Sequence, residues 1–170
     1  MAAERLLSTA KFSVERRVLN DPSGGAVQRE VVVHPGAVVI LPLLDRDHIV
    51  MIRNFRYSVE QELWELPAGT VEPGEPGIET ARRELEEETG YRAERMTPLA
   101  EFFTSPGVMT ELMRAFVAEE LTPVGQRLEP DERIKVEVVT LARAKDMLTR
   151  GELRDGKTMA TLGLFLLRIV

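Results

Sequence analysis

The sequence predicts an α+β sandwich with a small antiparallel β appendage at its N-terminus. Short apolar, β-branched or alternating runs recur along the chain, only a few segments have helical spacing, and the two kinds do not alternate as βαβ units would. Residues 10–19 and 26–33 loosely alternate apolar and polar side chains. Asn20-Asp21-Pro22-Ser23-Gly24-Gly25 separates them, so the pair reads as a hairpin. Pro35-Gly36 resets the chain, which gives an appendage of residues 1–34 and a main domain of residues 35–170. Ala37 to Leu44 is a buried strand, Asp45-Arg46-Asp47 its turn, and His48 to Phe55 the returning strand at a sheet edge. Residues 58–66 run through Trp64 and Leu66 to a break at Pro67-Ala68-Gly69, followed by a polar loop at 70–75.

Pro76 to Thr89 is the clearest helix, with proline in its first turn and Gly90 just past its end. Further strands are expected at 97–104, 112–119 and 133–141, and helices at 142–150 and 156–169. Met159, Leu162, Leu166 and Ile169 give the last helix an apolar face.

Composition narrows the chemistry. The 170 residues carry 22 Lys and Arg against 28 Asp and Glu, a net charge of -6. A nucleic-acid partner is not expected, because phosphate backbones require surplus cations. Cysteine is absent, and the two histidines are His34 and His48. Disulfides, thiolate nucleophiles and Cys-type zinc sites are thereby excluded, and a multi-His metal site nearly so. Plentiful carboxylates point instead to a hard cation, Mg²⁺ with Mn²⁺ as the second candidate. The longest apolar runs, Gly36 to Leu44 and Thr161 to Leu167, fall short of the ~20 residues of a spanning helix, so no membrane partner is expected. The first residues, MAAERLLSTAKFSVERR, lack a signal-peptide core, and a cytoplasmic protein is the expectation.

The informative helix reads PGIETARRELEEET. Glu84, Glu87 and Glu88 share one face at spacings of three and four. Such like charges repel, and a divalent cation in an exposed cleft reverses the sign of that interaction. Arg83 stands four residues before Glu87 and can pair with it, while Ala81 and Leu85 face the core. The three glutamates alone remain compatible with a solvated, charge-laced face.

The wider spacing decides more. Gly69, Glu75, Arg83, Glu84, Leu85, Glu87, Glu88 and Gly90 fit the pattern G-x5-E-x7-R-E-U-x-E-E-x-G-U, where U is aliphatic. Eight of nine specified positions agree, and Tyr91 replaces the last aliphatic residue. The segment resembles the signature of the Nudix hydrolase family. His34 to Val39, Ile52 to Tyr57, Trp64 to Gly69 and Ser105-Pro106-Gly107 resemble its ADP-ribose pyrophosphatase branch, and the similarity covers roughly residues 30–165.

The resemblance implies an α/β/α sandwich with a mixed sheet. It implies Mg²⁺ held by Glu84 and Glu88, with Glu87 close by, and by the backbone carbonyl of Ala68. Arg83 would orient Glu87. A later-loop glutamate would handle the attacking water: Glu132 is the choice, with Glu129 and Asp131 as alternatives. Arg56, and less so Arg53, would face substrate phosphate or a partner subunit. Glu65 would lie near the substrate and Glu111 at the active-site rim. Trp64 would be core, and His34 and His48 structural. The N-terminal hairpin is similar in kind to an appendage through which such enzymes form homodimers. The implied reaction is hydrolysis of ADP-ribose to AMP and ribose 5-phosphate. Another nucleoside diphosphate sugar, such as GDP-mannose, is the alternative substrate. A non-catalytic nucleotide sensor is disfavoured because every carboxylate of the pattern is present.

Overall fold

Strand β4 (Ala37–Pro42) is buried along its whole length, and the main domain is laid out around it. The computed structural model describes residues 3–130 and 132–168, so Asp131 and Ile169, both named above, lie outside the described residues. β4 pairs antiparallel with β7 (Ala68–Thr70) and parallel with β9 (Leu112–Pro123), and β9 pairs antiparallel with β8 (Tyr91–Phe103). The mixed sheet has the order β7-β4-β9-β8. A parallel neighbour demands a long crossover, and the chain between β4 and β9 supplies it, including α1 (Gly77–Thr89).

Alternate residues of β4 serve two cores. Val38 and Ile40 pack with Ala81 and Leu85 of α1, while Val39 and Leu41 pack with Met51, Leu66, Met147 and Leu162 on the opposite side. That is why Ala37 to Leu44 is continuously apolar rather than alternating. The second layer comprises α2 (Leu141–Thr149), α3 (Gly156–Arg168) and the antiparallel sheet β10-β5-β6, with strands Ile134–Thr140, His48–Arg56 and Gln61–Glu65. The α/β/α arrangement with a mixed sheet is the expected one. Among the described residues no helix is long and apolar enough to cross a membrane.

The N-terminal sheet has the order β1-β2-β3, from Ala3–Ser8, Ser13–Asn20 and Ala26–Val33. The hairpin β2–β3 follows the expectation; β1 does not. Its turn contains no Gly, Pro or Asn. Thr9 Oγ1 makes the turn instead, accepting from the Phe12 N–H at 3.0 Å and donating to the Phe12 carbonyl at 2.8 Å.

Three further expectations are corrected. β5 lies between β10 and β6, so Arg53 and Arg56 are not on an edge strand. Pro67-Ala68-Gly69 is only partly a break: Ala68 begins β7, a strand of 3 residues, too short to show a period. β8 starts at Tyr91 rather than 97, because Arg92, Glu94 and Arg95 cover its exposed side and a bulge between Pro98 and Ala100 disrupts the alternation.

α1 ends on Gly90 at φ 72, whose N–H donates to the Glu86 carbonyl. The segment 124–127 then folds back on the helix end. Val124 N–H donates to the Gly90 carbonyl at 2.7 Å, and Arg127 N–H to the Glu87 carbonyl at 2.9 Å. Gln126 Nε2 donates to the Glu88 carbonyl at 2.7 Å. A Cβ on residue 90 would lie 2.7 Å from Gln126 N. Gly90→Ala therefore meets both a left-handed backbone and a backbone neighbour. It should lower unfolding stability by on the order of 2 kcal/mol in chemical denaturation, and an unchanged midpoint would contradict this packing.

Candidate active site

Ala81 and Leu85 bury one face of α1 against β4, which turns the adjoining face toward β7. Glu88 Oε2 accepts a hydrogen bond from the Ala68 N–H at 2.8 Å. The Glu84 carboxylate lies over Gly69, where even a Cβ would stand 1.9 Å from its carbon. Residue 69 is thus glycine for lack of room, which a one-dimensional reading of a Pro-Ala-Gly turn does not show.

Arg83 gathers the remaining carboxylates. Its Nη1 donates to Glu84 Oε1 at 2.7 Å and to Glu87 Oε2 at 3.0 Å. Its Nε and Nη2 donate to the two oxygens of Glu75 at 3.2 and 3.1 Å, and Thr80 Oγ1 steadies Glu75 at 2.8 Å. The expected partner was Glu87; the structure makes Arg83 the shared partner of Glu75, Glu84 and Glu87. Glu75's hydrogen bonds are the main reason the Arg83 guanidinium is held above its ordinary value.

Crowding and burial distort the acids. Glu88 is 3% exposed, so it lies in a closed crease and not in an exposed cleft. Burial, with the charges of Glu84 and Glu132 adding, pushes it up to about 8 against the opposing Ala68 N–H. Burial likewise pushes Glu84 up to about 7, opposed by Arg83 and reinforced by Glu87 and Glu132. Glu132 is near enough for its charge to raise both groups. Its own carboxylate accepts from the Glu129 N–H at 2.9 Å, whereas Glu129 is exposed.

Among the described residues no three acidic or histidine side chains form a ready-made cation cage. Glu84 and Glu87 are turned onto Arg83, and Glu88 onto a backbone N–H. The donor set nevertheless fits a hard divalent cation. It is all oxygen, and burial raises two of its acids, Glu84 to about 7 and Glu88 to about 8, a cost that a bound divalent charge would offset. Glu84, Glu87, Glu88 and the Ala68 carbonyl could hold such an ion.

A cavity of about 690 Å³ opens beside β7, lined by Ala68, Gly69, Arg56, Glu65, Glu111 and Lys157 among others. Arg56 grips Glu65 with a two-point fork at 2.7 and 2.6 Å. Glu111 accepts from Thr104 Oγ1 at 2.5 Å and stands 3.5 Å from His34 Nδ1. Arg53 is not brought to this cavity. It pairs with Glu62 and lies 5.4 Å from the Trp64 ring centroid, while Trp64 packs on the core. His34 Nδ1 accepts from the Gly36 N–H at 3.1 Å, and His48 Nδ1 bonds Asp45 at 2.9 Å.

Lys157 and Asp155 escaped the reading of the sequence. Asp155 Oδ2 caps α3 by accepting from the Thr158 N–H at 3.0 Å. The legible signal was Asp155-Gly156-Lys157-Thr158, a helix start with a lysine where the dipole disfavours one.

Comparison with known proteins agrees with this geometry. The family described as the NUDIX domain matches residues 33–162. An ADP-ribose pyrophosphatase of Bacillus subtilis (strain 168) is 40% identical over 160 residues, covering 93% of this chain and 86% of the relative. A GDP-mannose pyrophosphatase of Salmonella typhimurium is 35% identical over 137 residues, covering 75% and 71%. A crystal structure of an ADP compounds hydrolase superposes with a TM-score of 0.83 at 27% identity, covering 97% of this chain and 90% of that one.

The raised acids make a prediction for the cation-free protein. A carboxylate raised on folding keeps a proton that the unfolded chain has already released. Stability is therefore lost as pH rises from about the ordinary 4.5 of Glu88 toward its folded value near 8. The unfolding free energy should fall across that window by on the order of a few kcal/mol. Added Mg²⁺ should restore it at pH 8, and Glu88→Gln should make the profile shallower, leaving the share that Glu84 contributes. A flat profile in the wild type would show that Glu88 is ionised throughout.

Proposed function

The chain belongs to the Nudix hydrolase family, and from that premise we propose that it cleaves the pyrophosphate of ADP-ribose to AMP and ribose 5-phosphate with Mg²⁺. It is an enzyme acting on nucleoside diphosphate sugars. The observation that carries the proposal is the juxtaposition across β7. Three crowded carboxylates lie on one side, and a cavity with Arg56 and Lys157 in its wall lies on the other.

A pyrophosphate diester carries two negative charges and resists an anionic attack. A divalent cation at Glu84, Glu87, Glu88 and the Ala68 carbonyl would neutralise that charge and acidify water. Arg83 keeps Glu84 and Glu87 at a fixed spacing, so the acids need little rearrangement to serve together. Glu132, whose charge reaches Glu84 and Glu88, takes the proton of the attacking water. Arg56, oriented by Glu65, meets a phosphate oxygen, and Glu111 faces the cavity from the other wall. Arg53 serves the sheet rather than the substrate.

A second substrate, GDP-mannose, is supported by the similarity to the GDP-mannose pyrophosphatase of Salmonella typhimurium, since acids that read only charge and metal accept the same pyrophosphate in a GDP sugar. The chain works as a homodimer joined through β1–β3, where Leu6, Leu7, Phe12, Val18 and Leu19 are exposed. Its compartment is the cytoplasm, where free nucleotides and Mg²⁺ coexist.

Product analysis on ADP-ribose, GDP-mannose and UDP-glucose, with Mg²⁺ and with EDTA, tests the reaction. EDTA-sensitive release of AMP and ribose 5-phosphate from ADP-ribose is the expected result, and faster cleavage of GDP-mannose would transfer the proposal to that sugar. Glu88→Gln should reduce kcat by at least about a thousandfold while the chain stays folded, and Glu132→Gln should slow turnover about a hundredfold with Mg²⁺ affinity retained. An unchanged rate in Glu132→Gln would move the proton acceptor elsewhere. Light scattering on Leu7→Lys, expected to be monomeric, checks the dimer.

A further inference from the structure

The chain crosses from one sheet to the other at Leu66-Pro67. Glu65, the last residue of β6, pairs with Ile52 of β5, and Ala68, the first of β7, pairs with Val39 of β4. Pro67 has no N–H, and its carbonyl accepts from the Ile40 N–H at 2.9 Å. Leu66 is buried between the two ladders, where an unpaired N–H is costly. Thr158 Oγ1, at the start of α3 and 92 positions later, accepts that N–H at 2.8 Å.

The hydroxyl is aimed for this bond. It donates its proton to Asp155 Oδ2 at 2.6 Å, which leaves its lone pairs for Leu66. Capping of α3 does not by itself need the hydroxyl, because Asp155 Oδ2 already takes the Thr158 N–H at 3.0 Å. Thr161, one turn further along α3, gives the contrast. Both threonines are 0% exposed, yet Thr161 Oγ1 has no hydrogen-bond partner among the described residues. The bond to Leu66 reaches the α1 acids through a stiff link. The Pro67 ring fixes its own φ and keeps Leu66 extended, so the amides of Leu66 and Ala68 move as a unit. The Ala68 N–H donates to Glu88 Oε2 at 2.8 Å, and the Ala68 carbonyl belongs to the donor set for a cation.

We infer that Thr158 is a positioning residue for the cation site: its hydroxyl, anchored on Asp155, sets the Leu66-Pro67 link and so the placement of Ala68 beside Glu88. The inference rests on the reading of the α1 acids as a cation site. Thr158 acts through the backbone and touches neither cation nor substrate. β4 fixes Ala68 along its ladder, and α3 fixes the approach to it from the other sheet. Loss of the hydroxyl strands a buried N–H, which the link can satisfy only by moving, and Ala68 moves with it.

Mn²⁺ binding to the EDTA-treated protein, read as free Mn²⁺ by electron paramagnetic resonance, tests this on Thr158→Val, Thr158→Ser and Thr161→Val, with melting temperatures alongside. Thr158→Val keeps the branched shape without the hydroxyl, and its Kd for Mn²⁺ should rise about tenfold. Thr158→Ser keeps the hydroxyl and should bind as the wild type does, and Thr161→Val should leave Kd unchanged. A lower melting temperature in Thr158→Val with an unchanged Kd overturns the inference and leaves Thr158 a packing residue of α3. A loss that Thr158→Ser does not recover, or that Thr161→Val shares, overturns it as well. If Thr158→Val fails to fold, the wild type decides. In a Mg²⁺ titration followed by amide resonances, Leu66 should shift at the same midpoint as Ala68, and a stationary Leu66 overturns the inference. A wild type that binds no Mn²⁺ refutes the cation reading itself.

Discussion

Arg83 holds together acids that would otherwise drive one another apart. Glu75, Glu84 and Glu87 all bond this one guanidinium, and Glu88 beside them is closed under β7. Each neighbouring feature of the backbone makes room for that arrangement or fastens it. Gly69 leaves space for the Glu84 carboxylate, and the β7–β4 pairing fixes the Ala68 N–H that Glu88 uses. The left-handed Gly90 ends the helix where Gln126 of the returning segment bonds the Glu88 carbonyl. Concentrated charge of one sign is expensive, and a fold that maintains it in a crease must do so at many points.

The cavity is built differently. Arg56 and Lys157 meet there over one carboxylate, and Glu65 is the buried element that spaces them. β5 contributes Arg56, β6 contributes Glu65 and the start of α3 contributes Lys157, so three elements of the second layer converge on one carboxylate. β7, three residues long, is the wall between the α1 acids and the cavity and contributes backbone to each.

Much of this was legible in one dimension because local physics dictates it. A helix bounded by Pro76 and Gly90, with Ala81 and Leu85 inward and glutamates beside them, needs no tertiary information to be recognised. The same holds for β4, whose unbroken apolar run anticipates two buried faces. β1 was missed because a threonine hydroxyl makes its turn, and β7 because three residues carry no period. Lys157 was missed because its significance depends on Glu65, which lies 92 positions earlier in the chain.

By itself, then, the sequence determined the family, the acidic helix, the hard-cation chemistry and the mixed α+β architecture. Those depend on spacing along one element or on residue types that are present or absent. Only the tertiary structure decided that Arg83 serves three glutamates, that Glu88 is buried, that Arg53 turns away from the cavity while Arg56 faces it, and that Lys157 joins it. Burial and the meeting of charges from separate elements are properties of packing. Along the chain a glutamate reads the same whether water or an apolar wall surrounds it, and only the fold sets the cost of its charge.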